Sequence, residues 1–375
     1  MQLLGGKTAH QFLSRHWQKR PLLVRNAIPD FKAVTQAAEL FRLAADDDVE
    51  SRTVSRQRGK WSIAHGPFRA ADFKRMPAVD WTLLVQGLNL HNTAADRLLH
   101  EFSFIPYARL DDVMASYAVP GGGVGPHIDS YDVFLLQGMG RRLWRIGPPR
   151  NANDTEFVKN IGLRILKHFK PEEEYLVENG DLLYLPPGWA HDGIALDNCI
   201  TYSIGFRAPA RRELAAEFLT RYAEGLDLPG LYRDPDLQVQ SKPSAIPAAM
   251  VTRTAELLST IRFTRRDVSR FLGEYLSEPK PRIVFTRPRT PLAPARFRDR
   301  LRAQGARLDP RTLMLHSARE LFINGEQVAI APPQRAQLLR LADDRTLSPG
   351  RHDEALCRVL HDWYIAGWLH PGTDA

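Results

Sequence analysis

Up to about Pro209 the apolar residues come in short runs broken by Gly and Pro. "RPLLVRNAI", "DWTLLVQGL" and "DVMASYAVP" have the length and β-branched or aromatic content of strands. "GPHIDSYDVFLLQGMGRRLWRIG", from Gly125 to Gly147, continues the pattern. "EEYLVENG", "DLLYLPPG", "AHDGIAL" and "CITYSIGFRAP" follow it. Many short strands with turn punctuation predict a sandwich or a barrel. Beyond residue 210 the period lengthens. In "RRELAAEFLTRYAEGL", Leu214, Phe218, Leu219 and Tyr222 recur at helical spacing. "AMVTRTAELLSTI" and "RDVSRFLGEYL" predict two more helices, and Pro243 and Pro247 mark a break.

A Pro- and Arg-rich linker, "EPKPRIVFTRPRTPLAPARFRDR", opens the last region. A short helix, a hairpin on "LFINGEQVAI", a helix near 333–343 and a last helix from about His352 to Leu369 follow. Asn324-Gly325 is a strong hairpin signal. Such a unit resembles a winged helix. Its "RAQLLRLADD" is mixed in charge, so a scaffolding role is at least as good a reading as groove binding. The helices of 210–280 are few and their apolar stripes wide. Intrachain core is one reading of those stripes, and a dimer interface is the other.

Composition is that of a globular chain, with 43% hydrophobic and 25% charged residues. The formal net charge of +8 favours an anionic partner such as nucleic acid or a ribonucleoprotein. Only Cys199 and Cys357 are present, both in apolar runs. Two cysteines make neither a disulfide framework nor a zinc finger, and free thiols suit a reducing cytoplasm. The N-terminal "MQLLGGKTAHQFLSRHWQKRP" lacks a signal-peptide core, and no apolar run is long enough to span a membrane. The expected location is therefore cytoplasmic. Gly121, Gly122, Gly123 and Gly125 could suggest a phosphate loop, but no Lys-Ser or Lys-Thr follows them. A flexible turn between strands is the expectation.

Candidate chemistry centres on the stretch from Gly125. Along a strand, positions two apart share a face, so His127 and Asp129 would project together with Ile128 opposite. They could simply hydrogen-bond each other. His191, however, follows "ENGDLLYLPPGWAHDG", a run that could return beside the first. Two histidines and one carboxylate match the facial triad of non-haem Fe(II) oxygenases, although zinc or manganese could take the same ligands. Arg142 alternates with Trp144 and Ile146, which would place a cation inside the barrel. A buried cation is costly unless paired, and a ligand carboxylate would pair it through a bidentate fork. A dicarboxylate reaching from the metal to Arg142 fits 2-oxoglutarate. The alternative leaves Arg142 in solvent beside Arg141.

The segments "HWQKRP", "SRTVSRQRGKWSIAHGPF", "SYAVPGGGVGPHIDSYDVFLLQGMGRRLWRIG", "LPPGWAHDG" and "YSIGFRAP" extend over most of residues 15–210. Together they resemble the JmjC-type Fe(II)/2-oxoglutarate oxygenases. Among these the resemblance is to the bacterial ribosomal oxygenases, which 3-hydroxylate an arginine of large-subunit ribosomal protein sixteen. The resemblance implies a mainly β plus α chain. A double-stranded β-helix of jelly-roll or cupin type would be the JmjC domain (1–209). A helical dimerisation region (210–280) and a winged-helix-like domain (281–375) would follow. It implies Fe(II) ligands at His127, Asp129 and His191, with Arg142 and Ser116 binding 2-oxoglutarate. Dioxygen would be the other cosubstrate, and succinate and carbon dioxide would leave. Related JmjC enzymes often carry Lys where Arg142 stands, and the ribosomal type carries Arg.

The implied partners are an arginine-bearing loop of a large-subunit ribosomal protein and a second copy of the chain. Asp111, Asp112, Asp132 and Tyr131 are candidate acceptors for the substrate guanidinium, since they lie near the site in sequence. Direct nucleic-acid binding stays open at this point. Two other functions compete: hydroxylation of a histidine or a modified nucleotide, and a non-catalytic ribosome- or nucleic-acid-binding factor. The intact set His127, Asp129, His191 and Arg142 argues against the last.

Overall fold

The computed structural model describes residues 2–151, 154–159, 162–329 and 331–372. Eleven strands precede residue 209: β1 (Leu22–Val24), β2 (Ser51–Gln57), β3 (Lys60–His65), β4 (Trp81–Val85), β5 (Leu110–Ala118), β6 (Val133–Met139), β7 (Arg142–Pro149), β8 (Glu173–Val177), β9 (Leu182–Leu185), β10 (Trp189–Ala195) and β11 (Cys199–Phe206). Eight of them form one sheet in the order β1-β9-β6-β11-β5-β4-β2-β3. A second sheet, β10-β7-β8, faces it. This is the double-stranded β-helix, with antiparallel neighbours throughout.

Alternation along the strands divides the interior into two layers. On β6, Val133 and Leu135 face the second sheet and pack with Trp144 and Ile146. Phe134 and Leu136 face away, into the largest apolar cluster. On β9, Leu183 and Leu185 join the inner layer while Leu182 and Tyr184 join the outer one. Four helices cover the outer face: α1 (Ala9–Arg15), α2 (Ala37–Leu43), α3 (Ala70–Lys74) and α4 (Thr93–His100). Phe12 of α1 is fully buried, edge-on to Tyr184 at 4.9 Å between ring centroids. Thr8 and Gln11 start α1 as a reciprocal capping box. With its back held this way, the major sheet leaves its inner face for the site.

The hairpin β2–β3 lies outside the strands that alternation predicts. It turns at Arg58 and Gly59, both at positive φ, and widens the sheet beyond β4. The glycine run between β5 and β6 is packed, contrary to the expected flexible turn. A Cβ on Gly122 would lie 2.1 Å from the Trp81 carbonyl oxygen, and one on Gly123 would lie 2.4 Å from that of Gly193.

Three helices lie between residues 210 and 280: α5 (Arg211–Glu224), α6 (Ala248–Thr260) and α7 (Arg265–Ser277). Phe218 packs with Tyr222, Phe263 and Phe271. Among the described residues of α5 and α6, none is buried. Leu219, Leu231, Val239 and Ile246 are all exposed.

The last unit contains α8 (Pro294–Gln304), β12 (Ala306–Leu308), β13 (Met314–His316), β14 (Leu321–Ile323), β15 (Glu326–Val328), α9 (Pro332–Asp344), β16 (Thr346–Leu347), α10 (Glu354–Ala366) and β17 (Leu369–Pro371). Asn324 and Gly325 make the expected hairpin turn, both at positive φ. Helix α10 ends before Leu369. Gly367 adopts φ +82 as a left-handed cap, and residues 369–371 pair with β12 instead. Phe297, Leu301, Leu341, Leu360 and Trp363 form this unit's core. Helix α7 lies against its hairpin so closely that a Cβ on Gly273 would strike Phe322.

Candidate active site

His127 and His191 are joined by their backbones. Each N–H donates to the other's carbonyl at 2.9 Å, forming an isolated antiparallel bridge. Their rings consequently lie 4.2 Å apart between centroids. The His-x-Asp segment is not part of a regular strand, since β6 begins only at Val133. Asp129 instead reaches the site through an irregular stretch, held where its carbonyl accepts from Gly188 N–H at 2.8 Å. Ile128, expected on the opposite face, also lines the cavity. Alternation gave the right grouping of His127 and Asp129 for the wrong local reason.

The side-chain nitrogen and carboxylate atoms of His127, Asp129 and His191 that could hold a metal ion all lie within 4.8 Å of one another. Nδ1 of His127 is 2.8 Å from the Gly125 carbonyl, and Nδ1 of His191 is 2.8 Å from that of Trp189. A carbonyl only accepts, so each Nδ1 carries a proton, and in a neutral imidazole the lone pair then sits on Nε2. Those Nε2 atoms stand 3.9 and 3.7 Å from the Asp129 carboxylate. That is too long for a hydrogen bond, so the two residues do not simply satisfy one another. Burial first, and then the neighbouring His127, push the His191 pKa down to about 4. His191 is therefore neutral near pH 7 and can accept a cation without first losing a proton.

A cavity of about 230 Å³ opens from these three residues between the two sheets. Arg142 and Ser116 line it as well. Arg142 is 5% exposed and shares its face with Trp144 and Ile146, as alternation predicts. Among the described residues no carboxylate pairs with it. Its Nη2 reaches only Cys199 Sγ, at 3.5 Å, and its Nε has no partner. Its guanidinium lies 5.7 Å from the Trp144 ring. The neighbouring arginines each have a carboxylate partner: Arg141 pairs with Asp197 at 2.8 Å and Arg145 with Asp192 at 2.5 Å. Ser116, on β5, is buried, and its Oγ makes a long contact of 3.4 Å with the Thr201 carbonyl.

Two lining residues, Thr82 and Arg52, escaped the sequence reading. Thr82 on β4 is 1% exposed, and its Oγ1 has no partner. It pairs across to Ala118, which pairs with Cys199, the residue that meets Arg142. Thr82 thus belongs to the same closed end as Arg142. Trp144 Nε1 and Arg52 Nε are also buried without partners on this wall. Three strands contribute these groups, so no local motif could have announced them together.

Of the four candidate guanidinium acceptors only Tyr131 lines this cavity. Asp132 is fully buried on the other side of the sheet. It accepts from Tyr184 at 2.6 Å and Gln18 at 2.9 Å. Asp112 accepts from Gln86 and the Gly87 N–H. Asp111 pairs with Lys280 at 2.8 Å. Asp132 follows Tyr131 directly, yet its side chain lies on the opposite face.

Residues 97–214 match the family model described as JmjC domain, and 256–370 match the ROXA-like winged helix. The chain is 35% identical over 347 residues to the ribosomal protein uL16 3-hydroxylase of Escherichia coli, covering 92% of this chain and 91% of that one. It is 36% identical over 237 residues to a probable ribosomal oxygenase of Haemophilus influenzae, covering 62% and 55%. The X-ray structure of E. coli ycfD superposes with a TM-score of 0.85 at 32% identity, over 97% of this chain and 98% of that one. A structure of E. coli YcfD in complex with cobalt and 2-oxoglutarate gives 0.82 at the same identity and coverage.

Proposed function

This chain belongs to the JmjC ribosomal oxygenases, and from that premise we propose that it hydroxylates, at C3, an arginine of a large-subunit ribosomal protein. Fe(II), 2-oxoglutarate and dioxygen are its cofactor and cosubstrates. The observation that carries the reading is the pairing of two sites in one cavity. A three-donor cluster stands at one place, and an unpaired buried cation stands at the closed end.

The residues present fit the implied group. His127, Asp129 and His191 would hold Fe(II), leaving open positions as a facial triad does. Neutral Nε2 atoms and one carboxylate leave a bound divalent cation with a residual charge of about +1, which suits an anionic cosubstrate. When bound, Fe(II) supplies the redox chemistry that couples oxidative decarboxylation of 2-oxoglutarate to hydroxylation of a C–H bond. The carbonyls of Gly125 and Trp189 hold both imidazoles in one tautomer and orientation.

Arg142 would clamp the far carboxylate of 2-oxoglutarate through its fork, and Ser116 would donate to the cosubstrate. Trp144, lying against both Arg142 and His191, keeps water from the space between them. Tyr131, 38% exposed at the mouth, is placed to meet the incoming side chain. Burial and Asp129 raise its pKa, so its hydroxyl stays protonated.

The division into residues 1–209, 210–280 and 281–375 enters the proposal as a division of labour: catalysis, dimerisation and a winged-helix-like support. The exposed Leu231, Val239 and Ile246 support self-association of the middle region. Among the described residues, no helix is long and apolar enough to cross a membrane.

The test is incubation with Fe(II), 2-oxoglutarate and a peptide from the arginine-bearing loop of a large-subunit ribosomal protein. The expected result is a mass gain of one oxygen atom on the arginine. Hydroxylation of histidine peptides alone, or turnover of no ribosomal peptide, would overturn the assignment.

A further inference from the structure

Between Arg282 and Arg307 the chain carries eight arginines and one acidic residue, Asp299. Four of the arginines, Arg296, Arg298, Arg300 and Arg302, lie on α8, and Arg287 and Arg289 lie on the segment leading to it. All six are exposed. Among the described residues none of the six forms an ion pair or a side-chain hydrogen bond. Arg141, also exposed, closes on Asp197 at 2.8 Å, and the half-buried Arg253 closes on Asp236 at 3.1 Å.

Helix α8 buries Phe297 and Leu301 in its own domain. Arg296 with Arg300, and Arg298 with Arg302, are i,i+4 pairs that flank this seam on either side. Each pair sets like charges together, which destabilises a helix. The first turn holds Arg296 and no acid, against the preference of the helix dipole for negative charge there. A helix serving only to fill the domain would gain from an acid in place of Arg296, and from breaking either like-charge pair. Its charge arrangement makes sense when an anion covers it.

We propose that α8, with Arg287 and Arg289, docks on the phosphate backbone of double-helical RNA. The choice of RNA rests on the reading that the substrate is a ribosomal protein. The chemistry of the face supports the rest. Arginine forks match phosphate oxygens two at a time, which lysines do not. The exposed positions of α8 carry no aromatic side chain, so there is no platform for stacking unpaired bases. They carry no large apolar residue either, so nothing would anchor the helix in a membrane. The contact is therefore with the backbone, indifferent to sequence and steeply dependent on salt.

The experiment uses the full chain and a short fluorescein-labelled RNA duplex, read by anisotropy across a salt series. Wild type should lose about 100-fold in affinity between 50 and 200 mM salt, as about four phosphate contacts predict. Arg296→Gln with Arg300→Gln, and Arg298→Gln with Arg302→Gln, should each make the log–log slope shallower by about 2. Arg211→Gln with Arg212→Gln removes the same charge from α5, where both arginines are exposed. That control should leave the slope unchanged. Equal loss in all three doubles would overturn the proposal, because diffuse net charge would then suffice. Tighter binding to phosphatidylserine vesicles than to the duplex would overturn it too. Turnover on the ribosomal peptide should be unchanged in both α8 doubles. Wild type that binds RNA but hydroxylates no ribosomal peptide would sink the functional assignment alone. Wild type that hydroxylates the peptide but ignores the duplex would sink only this one.

Discussion

Replacing Arg142 by methionine should move stability and cosubstrate affinity in opposite directions. Arg142 is 5% exposed and has no carboxylate partner among the described residues, only Cys199 Sγ and the Trp144 ring. A buried cation in that state pays for desolvation without an ion pair in return. Methionine follows the same path with similar bulk, so Arg142→Met should stabilise the ligand-free protein by about 1–4 kcal/mol. The same change removes both charge and fork from the 2-oxoglutarate site. Losing one side of a buried charge pair costs about 2–5 kcal/mol, or about 30- to 5,000-fold in Kd. Arg142→Lys keeps the charge but not the fork. It should fall between, about 10-fold weaker yet active at high 2-oxoglutarate. Thermal melts with and without 2-oxoglutarate read both effects. Wild type should gain about 2.7 kcal/mol at a hundred times its Kd, and the methionine variant should start higher and gain at most about 0.9 kcal/mol at the same concentration. A methionine variant that melts lower and still responds fully to 2-oxoglutarate would refute the reasoning, because Arg142 would then be stabilising the empty fold.

His127→Ala and Asp129→Ala should each abolish peptide hydroxylation while far-ultraviolet circular dichroism stays unchanged; near-normal turnover in either would remove the metal assignment. Thr82→Val should raise the KM for 2-oxoglutarate about 3- to 10-fold with kcat nearly kept, since it deletes one hydrogen-bond donor of about 1 kcal/mol. Thr82→Ser should restore most of it, and an unchanged KM would place the hydroxyl away from the cosubstrate. Phe134→Ala, in the aromatic cluster with Phe12 and Tyr184, should cost about 3–5 kcal/mol in denaturant unfolding. A cost under about 1 kcal/mol would mean the outer layer repacks freely. Leu231→Ser with Ile246→Ser should weaken self-association in sedimentation; a wild type already monomeric at micromolar concentration would dispose of the dimer.

What the sequence determined by itself is the set of local faces. Alternation in β6 and β9 assigned residues to one or other side of the sheet, because a strand turns successive side chains opposite ways whatever its neighbours. The same rule put Arg142 with Trp144 and Ile146, and Asn324-Gly325 announced its hairpin because the turn needs positive φ at both residues. The β2–β3 hairpin was not legible. Its turn, Arg58-Gly59, uses a residue seldom chosen for positive φ, and "SRTVSRQ" alternates small and polar residues rather than large apolar ones. Asp132 shows the cost of reading proximity along the chain as proximity in space. It adjoins Tyr131 yet bonds Tyr184 behind the sheet.

Only the tertiary structure decided which faces meet. His127 stands beside His191 because two backbone hydrogen bonds set that register, and a slip of one residue would turn the imidazoles apart. Thr82, Ser116, Arg142 and Trp144 come from three different strands and converge through pairings such as Thr82 with Ala118 and Ala118 with Cys199. A face is a property of consecutive dihedral angles. A cavity is a property of strand order and register, which settle only when the whole apolar interior is buried together.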